Sequence, residues 1–271
     1  MKISIVTISY NQSQYLRQAI ESVLSQKEDG DVEYIVVDPG SNDGSREIIL
    51  EYESKIDRVI FEKDNGPADG LNKGFSYATG EYYAFLNSDD VLNPGTISLL
   101  SMMLEKDRTV DVWHGHADII SAAGSKINRY YSRRFSMTRY IYNASAIPQP
   151  SVFFRGSLFA SVGGFNQDNR VAWDHELWVR FALSGARFKR IKKSLSSYRI
   201  YPGSITCDPK CDAERDSYLE RIFTEVSGRG WSHRDIYISK LCKILEVAGH
   251  PVVYFWRVIN GDPLQVDANG S

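Results

Sequence analysis

The chain has 271 residues, 42% of them hydrophobic and 24% charged, the balance of a soluble globular protein of one large domain with room for an appendage. Its 32 basic and 34 acidic side chains leave a formal charge of -2, without the basic excess of a dedicated nucleic-acid binder. Cys207, Cys211 and Cys242 are odd in number and lack a partner cluster, which argues against a disulfide framework or a cysteine zinc site.

The first residues, MKISIVTISYN, run straight from Met1 into an apolar stretch too short and wrongly flanked for a signal peptide. No stretch approaches the roughly 18 consecutive apolar residues of a spanning helix, so a cytoplasmic protein is expected. ISIVTI (3–8) reads as a buried strand and SQYLRQAIESVLSQ (13–26) as a helix with apolar residues at helical spacing. EYIVVD (33–38) is a second strand, followed by the turn PGSNDGS and a helix through REIILEYES. RVIFE (58–62) is a third. PADGLNKGFSYATG (67–80) predicts a helix with Pro in its first turn and Gly80 past its end, and YYAFLN (82–87) a fourth strand. This alternation predicts an α/β layered domain with a mainly parallel sheet. Ligands of such sheets sit beyond the carboxyl ends of the strands, where Asp38 and residues 87–90 fall.

A helix is expected in PGTISLLSMMLEK (94–106), a strand near 110–120, then the polar-aromatic stretch NRYYSRRFSMTRYIYN (128–143). Residues 149–205 hold a second cluster of polar and aromatic motifs, and from about 210 the pattern is helical. The segment DIYISKLCKILEVAGHPVVYFWRVI (235–259) carries more large apolar side chains than one packed helix face needs, and Pro251 should kink or divide it. It can pack on the domain, enter a homodimer interface or lie in a membrane surface. The last residues, VDANGS, are expected to fray.

Five motifs carry chemistry, each with a plainer reading beside it. TISYN (7–11) can form a platform for a flat base, with Asp38 accepting from base or ribose; it can also be a strand running into a helix capped by Asn11 or Ser13. In VDPGSNDGS (37–45), Gly40 and Gly44 permit tight turns, and Asp43 or Ser45 suits a helix cap. Asn72 and Lys73 lie on a helix whose start faces the same crevice, where lysine can meet phosphate or stay solvated. In NSDD (87–90), two adjacent carboxylates at a strand end suit a hard cation such as Mg²⁺ or Mn²⁺, shared with substrate phosphates; they can also cap the next helix. In VAWDHELWVRF (171–181), Asp174 at a helix start suits a general base in a partly apolar cleft walled by Trp173, or an ordinary N-cap. His114 and His116 share a strand face but have no third ligand nearby, His175 is expected to be solvated, and RYYSRRF (129–135) suits a surface facing an anionic acceptor.

In their order and spacing, SIVTISYNQSQYLRQAIESVLSQ, EYIVVDPGSNDGS, DNGPADGLNKGFSYATGEYYAFLNSDD, VGGF, WDHELWVRFALSG and YRIYPGSIT resemble the family 2 glycosyltransferases of GT-A fold, over residues 1 to about 206. The likeness is nearest to the bacterial branch that builds O-antigen, capsule and exopolysaccharide. It implies an inverting transferase domain over 1–206, a helical extension over 207–262 and a tail over 263–271. By position it implies Thr7, Ser9, Tyr10, Asp38, Asn72, Lys73 and Ser88 at the nucleotide, Asp89 on a divalent cation (Mn²⁺ or Mg²⁺) and Asp174 as catalytic base. Trp173 and Gln149 would meet the acceptor, a saccharide carried on a lipid at the inner face of the membrane. Two positions depart from the family pattern. Asn87 replaces the first carboxylate of the DxD motif, removing one negative charge, and Tyr201 stands where the family often has His.

The expected activity is transfer of a sugar from a nucleotide diphosphate, UDP above others. A nucleotide-sugar pyrophosphorylase would need a Gly-rich basic loop after the first strand, and TISYNQSQY has no glycine. A degenerate module that binds nucleotide or glycan without transfer is the remaining rival.

Overall fold

The computed structural model describes residues 1–145, 147–204 and 208–248. Four strands open the chain, each leading towards a helix: β1 (Ile3–Ile8), α1 (Ser13–Leu24), β2 (Val32–Val37), α2 (Ser45–Glu51), β3 (Arg58–Ile60), α3 (Pro67–Ser76) and β4 (Tyr82–Asn87). They pair in parallel in the order β3-β2-β1-β4. The register sets Ile8 beside Val37 and Asn87, and Val37 beside Ile60. All four carboxyl ends are therefore level, and the next residues, Ser9, Asp38 and Ser88, open onto one edge.

Beyond β4 the sheet changes direction. The later elements are β5 (Val91–Leu92), α4 (Thr96–Lys106), β6 (Val112–Ile120), β7 (Lys126–Tyr130), α5 (Met137–Ile141), β8 (Val152–Arg155), α6 (Gly156–Ser161), α7 (Trp173–Leu183) and β9 (Phe188–Arg199). Strand β8 runs antiparallel to both β4 and β6, β9 runs parallel to β6, and β5 and β7 pair antiparallel with β9 and β6. The parallel order expected from the sequence thus describes the first half of the sheet. The polar spacing of FKRIKKSLSSYR hid the 12-residue β9, which crosses back under the acid pair.

Both faces of the sheet are covered, which is why β1 and β2 read as unbroken apolar runs. On one face Ile3, Ile5, Tyr34 and Val36 meet Leu16, Ala19, Ile20 and Val23 of α1, spaced for a single helical stripe, and Leu100 and Leu104 of α4. On the other, Val6, Ile35 and Val37 meet Leu71 and Phe75 of α3, while Phe85 and Phe154 stack against Trp178 of α7. A Cβ on Gly74 would sit 2.5 Å from a Val6 methyl, so glycine lets α3 lie close to β1.

Two further helices, α8 (Asp212–Ser227) and α9 (His233–Ala248), follow. Ile222 of α8 enters the second core, and Tyr142 Oη donates to buried Asp235 of α9 at 2.7 Å. Pro251, Tyr254, Phe255 and Trp256 lie outside the described residues, as do Thr206, the expected edge of the first domain, and the tail 263–271. Among the described residues no helix is long and apolar enough to cross a membrane.

Glu33 staples β1 and β2 to the turn before β4. Its carboxylate accepts from Lys2 Nζ at 2.8 Å, from Ser4 Oγ, and from Thr79 N and Oγ1 at 2.7 Å each. Burial opposes ionisation, but these bonds outweigh it and hold the carboxyl at about 2. A folded-state value below the unfolded value of about 4.3 means stability that is present above that pH and lost as pH falls towards 2. Glu33→Gln is expected to cost about 1–3 kcal/mol at pH 7, with the gap to wild type narrowing on acidification. Urea unfolding from pH 7 to pH 3 checks this; a gap that stays constant contradicts it.

Candidate active site

A cavity of about 900 Å³ opens at the level strand ends. Its walls are the residues after β1 and β4, the β2–α2 and β3–α3 loops, the loop leading into α7, and the end of β9 with Tyr201.

The acid pair of NSDD splits into two roles. Asp90 is 1% exposed, and its Oδ1 accepts from Arg199 N at 3.0 Å. Burial, and then the neighbouring charge of Asp89, push its carboxyl well above the usual range. Asp89 turns to the cavity, with Oδ2 accepting from Tyr201 Oη at 3.0 Å. Neither acid caps α4, whose N-cap is Gly95.

Arg199, 2% exposed at the end of β9, makes the pair tolerable. Its Nε donates to Asp89 O at 2.8 Å, its terminal nitrogens to Ser121 O, Ala122 O and Gln18 Oε1, and its guanidinium lies 4.6 Å from the Tyr15 ring centre. The Tyr201 ring lies tilted against that same ring at 4.8 Å, and its hydroxyl accepts from Gln12 Nε2 at 3.1 Å.

Asn87 donates to Gln149 Oε1 at 3.2 Å, and Gln149 donates in turn to Phe85 O at 2.8 Å. The Asn87 Oδ1 atom is buried beside the acid pair without a partner. Among the described residues no three His, Cys, Asp or Glu side chains converge as a cation cage. One carboxylate and one free amide oxygen instead fit a hard cation that takes its remaining oxygens from water and a substrate diphosphate.

At the other end of the cavity, Ser9 Oγ is buried without a partner, and Tyr10 stands 63% exposed at the mouth. Asp38 shapes the wall without lining it. Its carboxylate accepts from Gly40 N at 3.0 Å, Ser41 N at 2.8 Å, Ser41 Oγ at 2.6 Å and Arg46 Nε at 3.1 Å, a set that holds Pro39 and Gly40 at the cavity. Helix α1 is satisfied from that loop, through Ser13 N donating to Asp43 Oδ2 at 2.9 Å, and not by an Asn11 or Ser13 cap.

Besides Asp38, three expected nucleotide residues lie off the cavity wall. Thr7 is buried in the sheet, accepting from Tyr34 Oη at 3.0 Å. Asn72 is paired with the Phe165 backbone in both directions, at 2.9 and 2.8 Å. Lys73 donates to Lys63 O and lies 3.3 Å from Asp69. The reason is helical: Gly66 and Pro67 at the start of α3 reach the cavity, whereas residues a turn further on face its flank.

Sequence reasoning passed over Asp64 and Lys63, which do line it. Asp64 accepts from Gly66 N at 3.0 Å, and burial pushes its carboxyl up. Its signal was available, since DNG follows β3 just as DPG follows β2.

The loop into α7 forms the opposite wall, with Trp173 and Asp174 on it. Asp174 is half-buried, and burial lifts its carboxyl above the ordinary value against opposing backbone hydrogen bonds. Ala172 occupies the N-cap, so Asp174 is not spent as the cap. Glu176, also passed over, braces this wall. It accepts from Asn169 at 2.7 Å, Asn166 at 3.0 Å and Arg221 at 3.3 Å, while Asn169 Oδ1 accepts from Ala172 N at 2.9 Å.

His175, expected to be solvated, stacks on Tyr140 at 4.1 Å, and burial lowers it to about 4. His114 and His116 both engage Ser132, at 2.6 and 3.0 Å. Burial first, then Arg190, lower them to about 3 and about 4, so both are neutral packing groups.

Parallel strands ending at one nucleotide-sized cavity, with an antiparallel extension carrying a second wall, define the GT-A fold. The fold is shared with S. aureus TarS 1-349 in complex with UDP-GlcNAc (TM-score 0.69, 19% identity, covering 92% of this chain and 73% of that one). It is shared too with the mannosyltransferase PcManGT from Pyrobaculum calidifontis in complex with GDP-Man and Mn²⁺ (TM-score 0.63, 16% identity, 96% and 76%). Residues 4–162 match the model of glycosyl transferase family 2, and the chain belongs to that family. An uncharacterized glycosyltransferase of Nostoc sp. is 38% identical over 212 residues, covering 74% of this chain and 65% of the relative. One from Methanocaldococcus jannaschii is 26% identical, covering 94% and 84%. The chain thus spans just under two thirds of the Nostoc relative.

Arg199→Met keeps the backbone bond to Asp90 but strips the guanidinium from Asp89 O, Ser121 O, Ala122 O and Gln18 Oε1 and removes its charge from beside the acid pair. A loss of about 3–5 kcal/mol is expected, as for other broken buried charge networks. Adding Asp90→Asn should restore part of it; in chemical denaturation, a double variant as unstable as the sum of the singles would contradict the coupling.

Proposed function

We propose that the protein is an inverting, metal-assisted glycosyltransferase that moves a hexosyl or N-acetylhexosaminyl group from a UDP-sugar to a saccharide. The single observation that carries this reading is that Asp89 and Asp174 line one cavity, Asp89 after β4 and Asp174 at the start of α7. The family membership and the UDP-GlcNAc complex of the fold neighbour support it.

In this reading Ser9, Tyr10, Asp64 and the loop held by Asp38 receive base and ribose, and Ser88 and Asn87 border the diphosphate. Thr7, Asn72 and Lys73 act by supporting that wall. Asp89 holds a Mn²⁺ or Mg²⁺ ion, which supplies charge neutralisation for the departing diphosphate when bound. Tyr201 orients the Asp89 carboxylate that would hold the ion. Asp174 accepts the proton of the acceptor hydroxyl, whose oxygen attacks the anomeric carbon from the face opposite the leaving group. A carboxyl lifted by burial is a better proton acceptor than an ordinary aspartate, and Trp173 offers the sugar an apolar face. Gln149 borders the acceptor side, and the acceptor is a lipid-linked saccharide met on the cytoplasmic side during cell-surface polysaccharide synthesis.

Two experiments bear on this. Asp89→Ala should abolish the metal-dependent gain in UDP affinity measured by calorimetry, and Asn87→Asp should increase that gain by restoring a charge. An Asp89→Ala protein that still responds to Mn²⁺ contradicts the role, and a wild type that never responds favours a binding module without transfer. Asp174→Asn should keep UDP affinity and lose turnover by about 10²–10⁴-fold. Because the base must be ionised and burial raises its value, wild-type turnover should fall with decreasing pH at a midpoint above the ordinary carboxylate value of about 3.9. Near-normal turnover in Asp174→Asn would place the base on another residue.

A further inference from the structure

Helix α9 packs by one side only. Asp235 is fully buried, accepting from Tyr142, Arg229 and Ser232, and Ser239 Oγ donates to Tyr142 O at 3.0 Å. The other side carries Tyr237, Leu241 and Ile244, which are 73%, 54% and 61% exposed, with Leu245 at 52% beside them. Spacings of four and three place these side chains in one stripe along the helix.

The charges around the stripe have one sign. Arg234, Lys240 and Lys243 are exposed, and among the described residues none has an ion-pair partner. The carboxylates of α9 are Asp235, which Arg229 neutralises inside the fold at 2.7 Å, and Glu246 near its end. A chain with a formal charge of -2 thus carries three exposed cations on α9 against one carboxylate, Glu246, besides the neutralised Asp235. The sequence that follows, PVVYFWRVI (251–259), has the same mixture of aromatic, aliphatic and basic residues.

We propose that this face of α9 docks on an anionic lipid surface. Tyr237, Leu241 and Ile244 enter the boundary between headgroups and acyl chains, while the long stems of Arg234, Lys240 and Lys243 let their charges reach lipid phosphates. A second copy of the chain is the poorer occupant. An isologous pairing of the two helices would set three cations on each side against a single further carboxylate, Glu246, whereas anionic headgroups supply the missing charge.

The inference stands apart from the glycosyltransferase reading, and its test is binding alone. The full chain is mixed with phosphatidylcholine vesicles with and without phosphatidylglycerol, at low and high salt, and co-sedimentation is measured. Binding is expected only with phosphatidylglycerol and should weaken as salt rises. Lys240→Ala with Lys243→Ala should weaken it about 25-fold, from roughly fivefold for each lysine near an anionic surface. Tyr237→Ser with Leu241→Ser and Ile244→Ser should abolish it, with thermal midpoint and UDP affinity unchanged in both variants because these residues are exposed and off the cavity. No wild-type binding, equal binding to neutral vesicles, or variants that bind like wild type would each overturn the proposal. So would a concentration-dependent dimer that ignores vesicles and dissociates in the triple variant. Vesicle binding without any UDP affinity would count against the transferase reading and leave this one intact.

Discussion

Two adjacent carboxylates at the end of a buried strand repel each other, and the molecule is organised around making them coexist. Arg199 does this from below. Its backbone N–H meets Asp90, its Nε meets the Asp89 carbonyl, and its remaining nitrogens tie the β6–β7 turn and α1 to the same point. Asp90 then turns inwards and Asp89 is left to face the cavity. A single buried guanidinium with five donors suits this position in a way that a lysine ammonium would not. Because β9 carries Arg199 and leads to Tyr201, the antiparallel half of the sheet completes the acid site that the parallel half begins.

The two walls of the cavity are held by different means. The nucleotide-side wall hangs on register: Ile8, Val37 and Asn87 lie level, so the turns that follow meet at one edge. There Asp38 spends its carboxylate on the backbone of its own loop. The opposite wall is a loop and the start of α7, packed on β4 and β8 through Trp178. A polar clamp of Glu176, Asn166 and Asn169 fixes the approach to α7, and Arg221 of α8 reaches the same carboxylate. Helix α8 therefore bears on the position of Asp174 through Glu176, and among the described residues neither C-terminal helix lines the cavity.

Burial also sorts the ionisable groups by state. It raises Asp64 and Asp174 at the cavity and lowers His114, His116 and His175 away from it. The histidines, to which the sequence assigned neither metal nor proton transfer, are neutral packing groups in the fold. The proton-handling capacity at the cavity belongs to carboxylates.

Much of the fold was legible along the chain. Unbroken β-branched runs, helical spacing, and Gly and Pro punctuation located β1, α1, β2, α3 and β4 within a few residues, because such signals act between near neighbours. The strand ends bearing Ser9, Asp38, Ser88 and Asp89, and the helix start bearing Asp174, followed from the same local rules. What only the tertiary structure decided was direction and partnership. Asn72 and Lys73 look like phosphate contacts until α3 is laid against the sheet, where one pairs with Phe165 and the other with Lys63. The two acids of NSDD are equivalent in sequence, and β9, joined to them across more than 100 residues, makes one structural and leaves the other open. Local propensity has a range of a few residues, whereas the division of these acids depends on the backbone N–H of Arg199 and the hydroxyl of Tyr201, brought in by chain crossing.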